Sequence, residues 1–485
     1  MKKIISLILC LLVIMSSVCV SASAITPEEW ETYWNTDTEI EYGILMSPGS
    51  DESQRNFCWY SPADSGKCRV LIGTKENLSD AKTFYGTTVE NIQKDTTNRV
   101  TVTGLQFDTT YYYKCVTDKT ESTVRSFKTA TKGSFSAIYV TDIHLSEESK
   151  RGKDTGGGTD IVKEQSYKLG QVYDAALSKN PDISLVLSGG DQASNGFREE
   201  YIGLTAPKSS FGMSFAPCFG NHDRKNVDYK YFVNNPNEDF SAKIRSYAAS
   251  DYWYVYDNAL FIVLDSNSAN MKNHYNITKK AVEANPDIKW RVMIFHNDLY
   301  GNRKDGRTRE AKLMDLMYGP IIDQFQIDLV MMGHSHYYSV SDVIFHNQSV
   351  QDTAKNSVLY NPAGSVYFVS GSINRPVVYK DNVPIGEHIG FTYLPRYTAT
   401  IYNILDFTDD EIKISSYTLE KGDCFNTLTI RKSDRQGGHK QSGETPFKHL
   451  LYFIEAVYQF FENFSYYFTV KKFCDNITLW EYAFK

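Results

Sequence analysis

Short apolar runs separated by turn residues fill the chain from about residue 38 to residue 129. Arg55–Tyr60, Lys67–Gly73, Arg99–Leu105, Thr110–Val116 and Thr123–Thr129 are rich in β-branched and aromatic residues, and their spacing predicts a β-sandwich. After Thr131-Lys132-Gly133 the pattern changes. Phe135–Thr141, Ile183–Ser188, Leu260–Asp265, Arg291–Phe295 and Ile327–Met332 are continuously apolar, as strands buried on both faces are. Helical stretches over Lys163–Ser178, Lys279–Ala284 and Arg309–Gln324 alternate with them, which predicts a layered α/β domain over 134–432. Ser365–Ser370, Ala399–Leu405, Glu411–Leu419 and Thr427–Arg431 return to strand and close it. The polar, glycine-containing stretch 433–446 reads as a linker. Beyond it Leu450, Ile454, Val457, Phe461, Phe464 and Phe468 recur at spacings of four and three, one stripe of an amphipathic helical tail over 447–485. Packing on its own protein is the plain reading of that stripe; docking on an envelope surface or a partner helix is the sharper one.

The first residues change the picture of where the chain works. Lys2 and Lys3, the apolar segment Ile4 to Val18 and the small residues Ala22-Ser23-Ala24 predict a signal peptide over 1–24 and a secreted or cell-surface protein. The apolar segment is short for a membrane anchor, and no later run is long enough for a span. At 485 residues and 41% hydrophobic content the chain can bury more than one core. A net charge of -7 argues against a nucleic-acid partner, which would want a basic face. Cys58, Cys68, Cys115, Cys218, Cys424 and Cys474 are too sparse for a disulfide scaffold, and spacing assigns no pairing.

The candidate chemistry lies in polar islands, most of them directly behind an apolar run. They are Asp142-Ile143-His144, Gly189-Gly190-Asp191, Gly220-Asn221-His222-Asp223, His296, and Gly333-His334-Ser335-His336. Sites in α/β sheets form beyond the carboxyl ends of strands, so these islands can meet at one edge. Asp and His are donors that suit zinc, iron or manganese, and an Asn amide oxygen binds a cation without adding charge. Residues two apart in extended chain point the same way, so Asp142 and His144 can grip one ion. Glycine before Asp191 and His334 lets backbone approach closely. Each island alone has a blander account: Gly190-Asp191 as a turn, His296 as a hydrogen-bonded core residue. Their ordered recurrence favours a shared site. His274, His346, His388, His439 and His449 lack such context and read as structural or exposed.

In that order the islands resemble the calcineurin-like metallophosphoesterase superfamily, whose pattern runs Asp-x-His, Gly-Asp, Gly-Asn-His-Asp/Glu, His, Gly-His-x-His. The sandwich ahead of them is similar to that of purple-acid-phosphatase-like proteins. Leu105 to Tyr111, followed by Tyr113, resembles the tyrosine corner of a fibronectin type III domain over 38–129, with Trp59 as the buried tryptophan of the opposite sheet. The resemblance spans about Thr38 to Lys432. It implies an α/β fold of a β-sandwich flanked by helices, and two divalent or mixed-valence ions of iron, zinc or manganese. One ion would be held by Asp142, His144, Asp191 and His336, the other by Asp191, Asn221, His296 and His334, with Asp191 bridging. Ions about 3.5–4 Å apart can share a hydroxide and clamp both oxygens of an in-line displacement at phosphorus. His222 would stabilise phosphoryl charge or protonate the leaving group, and Asp223 would orient its ring.

The chain departs from the purple enzymes in two places. Their first block is Asp-x-Gly, whereas His144 stands third here; their Gly-Asp-x-x-Tyr phenolate is replaced by Ser194. Both changes imply a divalent pair without charge-transfer colour and a ligand set nearer the phosphodiesterase branch. The implied function is hydrolysis of a small phosphate ester, with a dedicated phosphodiesterase or nucleotidase as the alternative. A surface-binding protein that lost catalysis is a different class; every expected ligand position is filled, which counts against it. Arg303, Arg307 and Arg309 read as a solvated basic loop that could also meet substrate, and Ser146–Asp160 as a polar loop or flap.

Overall fold

A computed structural model of the chain describes residues 25–146, 158–238, 251–268, 270–300, 309–379 and 388–440. The signal segment 1–24, most of the polar insertion Ser146–Asp160, Arg303, Arg307 and the tail 447–485 lie outside the described residues.

Period-two alternation produces two four-stranded antiparallel sheets in the N-terminal part. One orders Leu45–Pro48, Gln54–Ser61, Thr96–Thr103 and Thr87–Glu90; the other Lys82–Tyr85, Arg69–Gly73, Thr110–Val116 and Arg125–Lys128. Phe57, Trp59, Val70, Val100, Tyr113 and Phe127 meet between them. Trp59 and Tyr113 come from opposite sheets, and the Tyr111 hydroxyl accepts the Gln106 N–H at 2.9 Å, the back-bond of a tyrosine corner. Ahead of the sandwich Thr26 caps the helix Pro27–Thr36, with Glu29 closing a capping box. Trp30 and Tyr33 of this helix donate to the carbonyls of Lys163 and Ala206, pinning it to the following domain. Thr26-Pro27-Glu28-Glu29 was a readable start signal for a helix absent from the sequence expectations.

The larger domain stacks two mixed sheets. The first orders Ser214–Ala216, Ile183–Ser188, Ser134–Val140, Ile401–Thr408, Glu411–Thr418, Cys424–Arg431 and Val358–Tyr360. The second orders Tyr252–Tyr256, Ala259–Leu264, Trp290–Phe295, Leu329–Met332, Ser365–Val369, Tyr338–Phe345 and Gln348–Gln351, with Ile389–Tyr393 beside Tyr338–Phe345. Alternate residues explain the unbroken apolar runs. Phe135, Ala137 and Tyr139 face the other sheet, whereas Ile138 and Val140 pack on Leu169, Val172 and Tyr173 of the helix Gly158–Lys179. On the far side Ile262, Met293 and Val330 pack on the helices Met271–Ala284 and Arg309–Gln324. The helix expected over Lys279–Ala284 starts earlier because the Asn270 side chain caps it through the Asn273 N–H.

The stretch expected to be a linker is, over 433–440, a strap docked on the domain. Lys432 Nζ and His439 Nε2 both reach Asp328 Oδ1, at 2.8 and 2.9 Å, in a fully buried cluster. Within the strap His439 turns inward to this cluster, while Ser433, Asp434, Gln436 and Lys440 stay exposed. Asp328 immediately precedes Leu329–Met332, so the strap closes the sheet end opposite the strand tips considered next.

Candidate metal centre

Asp142, Asp191, His296 and the Gly333–His336 turn follow the ends of Ser134–Val140, Ile183–Ser188, Trp290–Phe295 and Leu329–Met332. Ser134–Val140 runs parallel to Ile183–Ser188, and Trp290–Phe295 to Leu329–Met332, so the tips of each pair end together, and the stacking of the two sheets brings both pairs to one edge. The first two loops run together: Asp142 N donates to Gly190 O and His144 N to Asp191 O, at 3.0 and 2.9 Å. His334 N donates to Asp142 Oδ2, and His222 N to Asp191 Oδ1, at 2.9 and 2.7 Å.

The side chains form two half-sites. In one, His336 Nε2 lies 3.2 Å from Asp142 Oδ1 and 3.1 Å from His144 Nε2. In the other, Asn221 Oδ1 lies 3.0 Å from His296 Nε2 and 2.9 Å from His334 Nδ1. Asp191 Oδ2 stands between, 3.2 Å from His296 Nε2 and 3.6 Å from His144 Nε2. Asp142, His144, Asp191 and His296 form a buried floor; Asn221, His222, His334 and His336 are half-buried above it. Outer partners aim the rings. His296 Nδ1 donates to Gly189 O at 2.8 Å and His336 Nδ1 to Arg375 O at 3.1 Å, so both Nε2 atoms face inward.

The donors suit divalent cations. Asp142, His144, Asp191, His334 and His336 all have left-handed backbone, with φ between 49° and 68°. For residues other than glycine this costs about 1–2 kcal/mol each and persists where a site demands it. Asp142 Oδ1 is fully buried and accepts no hydrogen bond, although it faces two imidazoles. Burial would raise the Asp142 and Asp191 carboxyls, yet the neighbouring histidines outweigh it and hold both down at about 2. Burial would likewise lower His296, but the facing Asp191 carboxylate lifts it to about 10. The pocket therefore draws positive charge into its centre. Potential ligand atoms of Asp142, His144 and His336, of His144, Asp191 and His222, and of Asp142, Asp191 and His296 lie within 4.8 Å of one another.

His222 sits at the mouth, edge-on to His144 with ring centroids 4.7 Å apart. The expectation that Asp223 orients it does not hold. The buried Asp223 carboxylate accepts the N–H groups of Gly220 and Ala193, at 2.9 and 3.1 Å, and the Tyr201 hydroxyl. It ties the Asn221 turn to the Asp191 loop, because those buried amides need an acceptor. The ring is placed instead by Ser194 O, 2.7 Å from Nδ1, a carbonyl that Lys225 Nζ also reaches at 2.8 Å.

Ser372, Asn374 and Arg375 were missed. The Ser372 hydroxyl donates to Asp142 O and Asn374 Nδ2 to Ile143 O, at 2.6 and 2.8 Å, bolting this loop to the first ligand block. No local signal marked them: the loop follows Ser365–Val369, and only the parallel pairing of that strand with Leu329–Met332 brings it to the same edge. Of the arginines expected near substrate, Arg303 and Arg307 lie outside the described residues, as does the Arg309 side chain.

Residues 136–338 match the family model described as calcineurin-like phosphoesterase, and residues 42–129 that of the purple acid phosphatase N-terminal domain. Phosphoenolpyruvate phosphatase of Allium cepa is 23% identical over 325 residues, 59% of this chain. The chain spans only about three fifths (61%) of that relative's length. Among solved structures, a purple acid phosphatase from yellow lupin (Lupinus luteus) seeds superposes with a TM-score of 0.63 at 14% identity, covering 83% of this chain and 76% of that one. PhoD superposes with a TM-score of 0.52 at 12% identity, covering 87% and 98%. These likenesses show a shared fold.

Proposed function

Since the chain belongs to the calcineurin-like metallophosphoesterases and carries a purple acid phosphatase N-terminal domain, we propose that it hydrolyses phosphate esters at a two-metal centre. One observation carries this reading: a single Asp191 oxygen faces both half-sites, 3.2 Å from His296 and 3.6 Å from His144. Asp142, His144, Asp191 and His336 would hold one ion, and Asp191, Asn221, His296 and His334 the other. Such a pair supplies an activated water and neutralises charge on the phosphoryl oxygens. The protein's own contribution is placement. The strained floor keeps its donors converged, Gly189 O and Arg375 O keep two rings turned inward, and Ser194 O keeps His222 Nδ1 occupied. His222, held at Nδ1 by Ser194 O, turns Nε2 to the half-buried mouth, where it would stabilise phosphoryl charge or, once it has taken up a proton there, protonate the leaving oxygen.

Two features favour phosphodiesters as a second reading: His144 in the place of a glycine and Ser194 in the place of a tyrosine. Rates on p-nitrophenyl phosphate and bis(p-nitrophenyl) phosphate decide between them. The test of the reading itself is metal analysis of the purified protein beside those assays. About two ions per chain and a colourless preparation are expected, and Asp191→Asn should lose at least one ion and most of its turnover. Full turnover in Asp191→Asn, or a strong visible absorption band, would contradict it.

We also propose export, supported by the basic start, the apolar run and the Ala22-Ser23-Ala24 ending. Among the described residues no helix is long and apolar enough to cross a membrane. N-terminal sequencing of protein from the culture fluid should begin at Ile25; an intracellular protein beginning at Met1 would refute export.

A further inference from the structure

We propose that Arg375 determines which esters the site prefers, by anchoring the extra negative charge of a doubly ionised phosphoryl group. The inference rests on the phosphoesterase reading above and adds a residue to it.

The Arg375 backbone is part of the metal block. Its N–H donates to Ser372 Oγ at 2.9 Å, Ser372 Oγ donates to Asp142 O at 2.6 Å, and its carbonyl takes the His336 Nδ1 proton at 3.1 Å. The side chain then turns to the mouth. Arg375 Nη2 donates to Ser194 Oγ at 2.9 Å, across 181 residues of sequence. The guanidinium is thus held at Ser194, the residue whose carbonyl lies 2.7 Å from His222 Nδ1 at the mouth. Ser194 is buried and small, and a large side chain there would occupy the space that the Nη2 contact uses. Arg375 and Lys225 are both solvent-exposed, so among the described residues two cations stand above the buried Asp142 and Asp191.

A phosphate monoester carries a second ionisation near pH 6 and is close to dianionic at neutral pH, whereas a diester carries one charge. Once ions neutralise the floor, the additional unit of charge on the monoester needs a partner at the rim. A guanidinium offers a planar fork matched to two phosphoryl oxygens, and it cannot be deprotonated in the working range. Because the Arg375 carbonyl, not its side chain, aims His336, the side chain can be removed while the ligand's partner stays.

The experiment uses the metal-loaded full-length protein and its Arg375→Met and Arg375→Lys variants, assayed on p-nitrophenyl phosphate, on bis(p-nitrophenyl) phosphate, and for inhibition by inorganic phosphate. Removing a charge-assisted contact should lower kcat/KM on the monoester about 10- to 100-fold relative to the diester, and raise the inhibition constant of phosphate similarly. Arg375→Lys should recover part of both, and all three proteins should retain two ions. Equal losses on the two esters, or unchanged phosphate inhibition, would overturn the assignment of Arg375. A wild-type protein that binds two ions and hydrolyses neither ester would instead overturn the phosphoesterase reading beneath it.

Discussion

Gly220 offers a sharp test of how closely the turns must approach for the donors to converge. Its backbone does not occupy the left-handed region, so the demand is steric alone. A methyl group at Gly220 would lie 2.2 Å from Asp191 N and 2.2 Å from Asp191 Oδ1, where ordinary contact begins at 3.4 Å. The Asn221 turn and the Asp191 loop must therefore part by roughly 1 Å, as overpacking of a rigid interior requires. That parting strains the 2.7 Å bond from His222 N to Asp191 Oδ1 and moves Asn221 Oδ1 away from His296. A misplacement of this size costs about a hundredfold in rate. We expect Gly220→Ala to lower kcat/KM on p-nitrophenyl phosphate about 100-fold or more, with about 1–3 kcal/mol of stability lost to overpacking. Metal titration should show weaker binding at the Asn221 half-site. Gly170→Ala is the matched control: it lies within the helix Gly158–Lys179, and its added methyl meets Pro207 at an ordinary 3.4 Å. That change should leave kcat alone and add about 0.5–1 kcal/mol of stability. Wild-type rate and metal affinity in Gly220→Ala would refute the claim that this close approach sets the ligand geometry.

Two further expectations lie outside the metal centre. His274 is buried with Nδ1 2.7 Å from Asp251 Oδ2; burial pulls its pKa down, but the Asp251 charge and hydrogen bond outweigh this and raise it from 6.5 to about 9. A raised histidine contributes stability that is complete below pH 6.5 and lost as pH climbs through 9, here about 3 kcal/mol. Urea unfolding across that window should show the loss in wild type, and His274→Gln should flatten it; parallel curves for the two proteins would sink the account. At the other end of the sheets, Lys432→Met should cost about 3–5 kcal/mol, because Asp328 stays buried with its main counter-charge gone. Calorimetry should register that fall with kcat unchanged, and an unaltered melting temperature would contradict the strap's role.

The islands could be read before folding because strand ends are local features. An apolar run followed by Asp, Gly-Asp or His shows where a buried strand stops, and the rule for α/β sheets then predicts that the stops gather. Asp142, His144, Asp191, Asn221, His296, His334 and His336 were legible on that basis, and the structure brings them to one edge. Residue type also announced what Ser194 would lack. The helix Pro27–Thr36 was legible in principle through its capping box.

Arg375, by contrast, carries no local mark. It reaches Ser194 only because Ser365–Val369 is laid parallel to Leu329–Met332, and the order of strands within a sheet is decided by long-range packing. Asp223 looked like a partner for its neighbour in sequence, yet buried amides of the Asp191 loop claimed it instead. The strap over 433–440 had the composition of free chain, and a buried carboxylate distant in sequence drew it down. Periodicity and residue chemistry set which side chains are capable of binding an ion and which strand ends present them. Which atoms meet, which way each ring turns and what charge rims the opening depend on contacts between distant segments, and those form only when both sheets close over a common core.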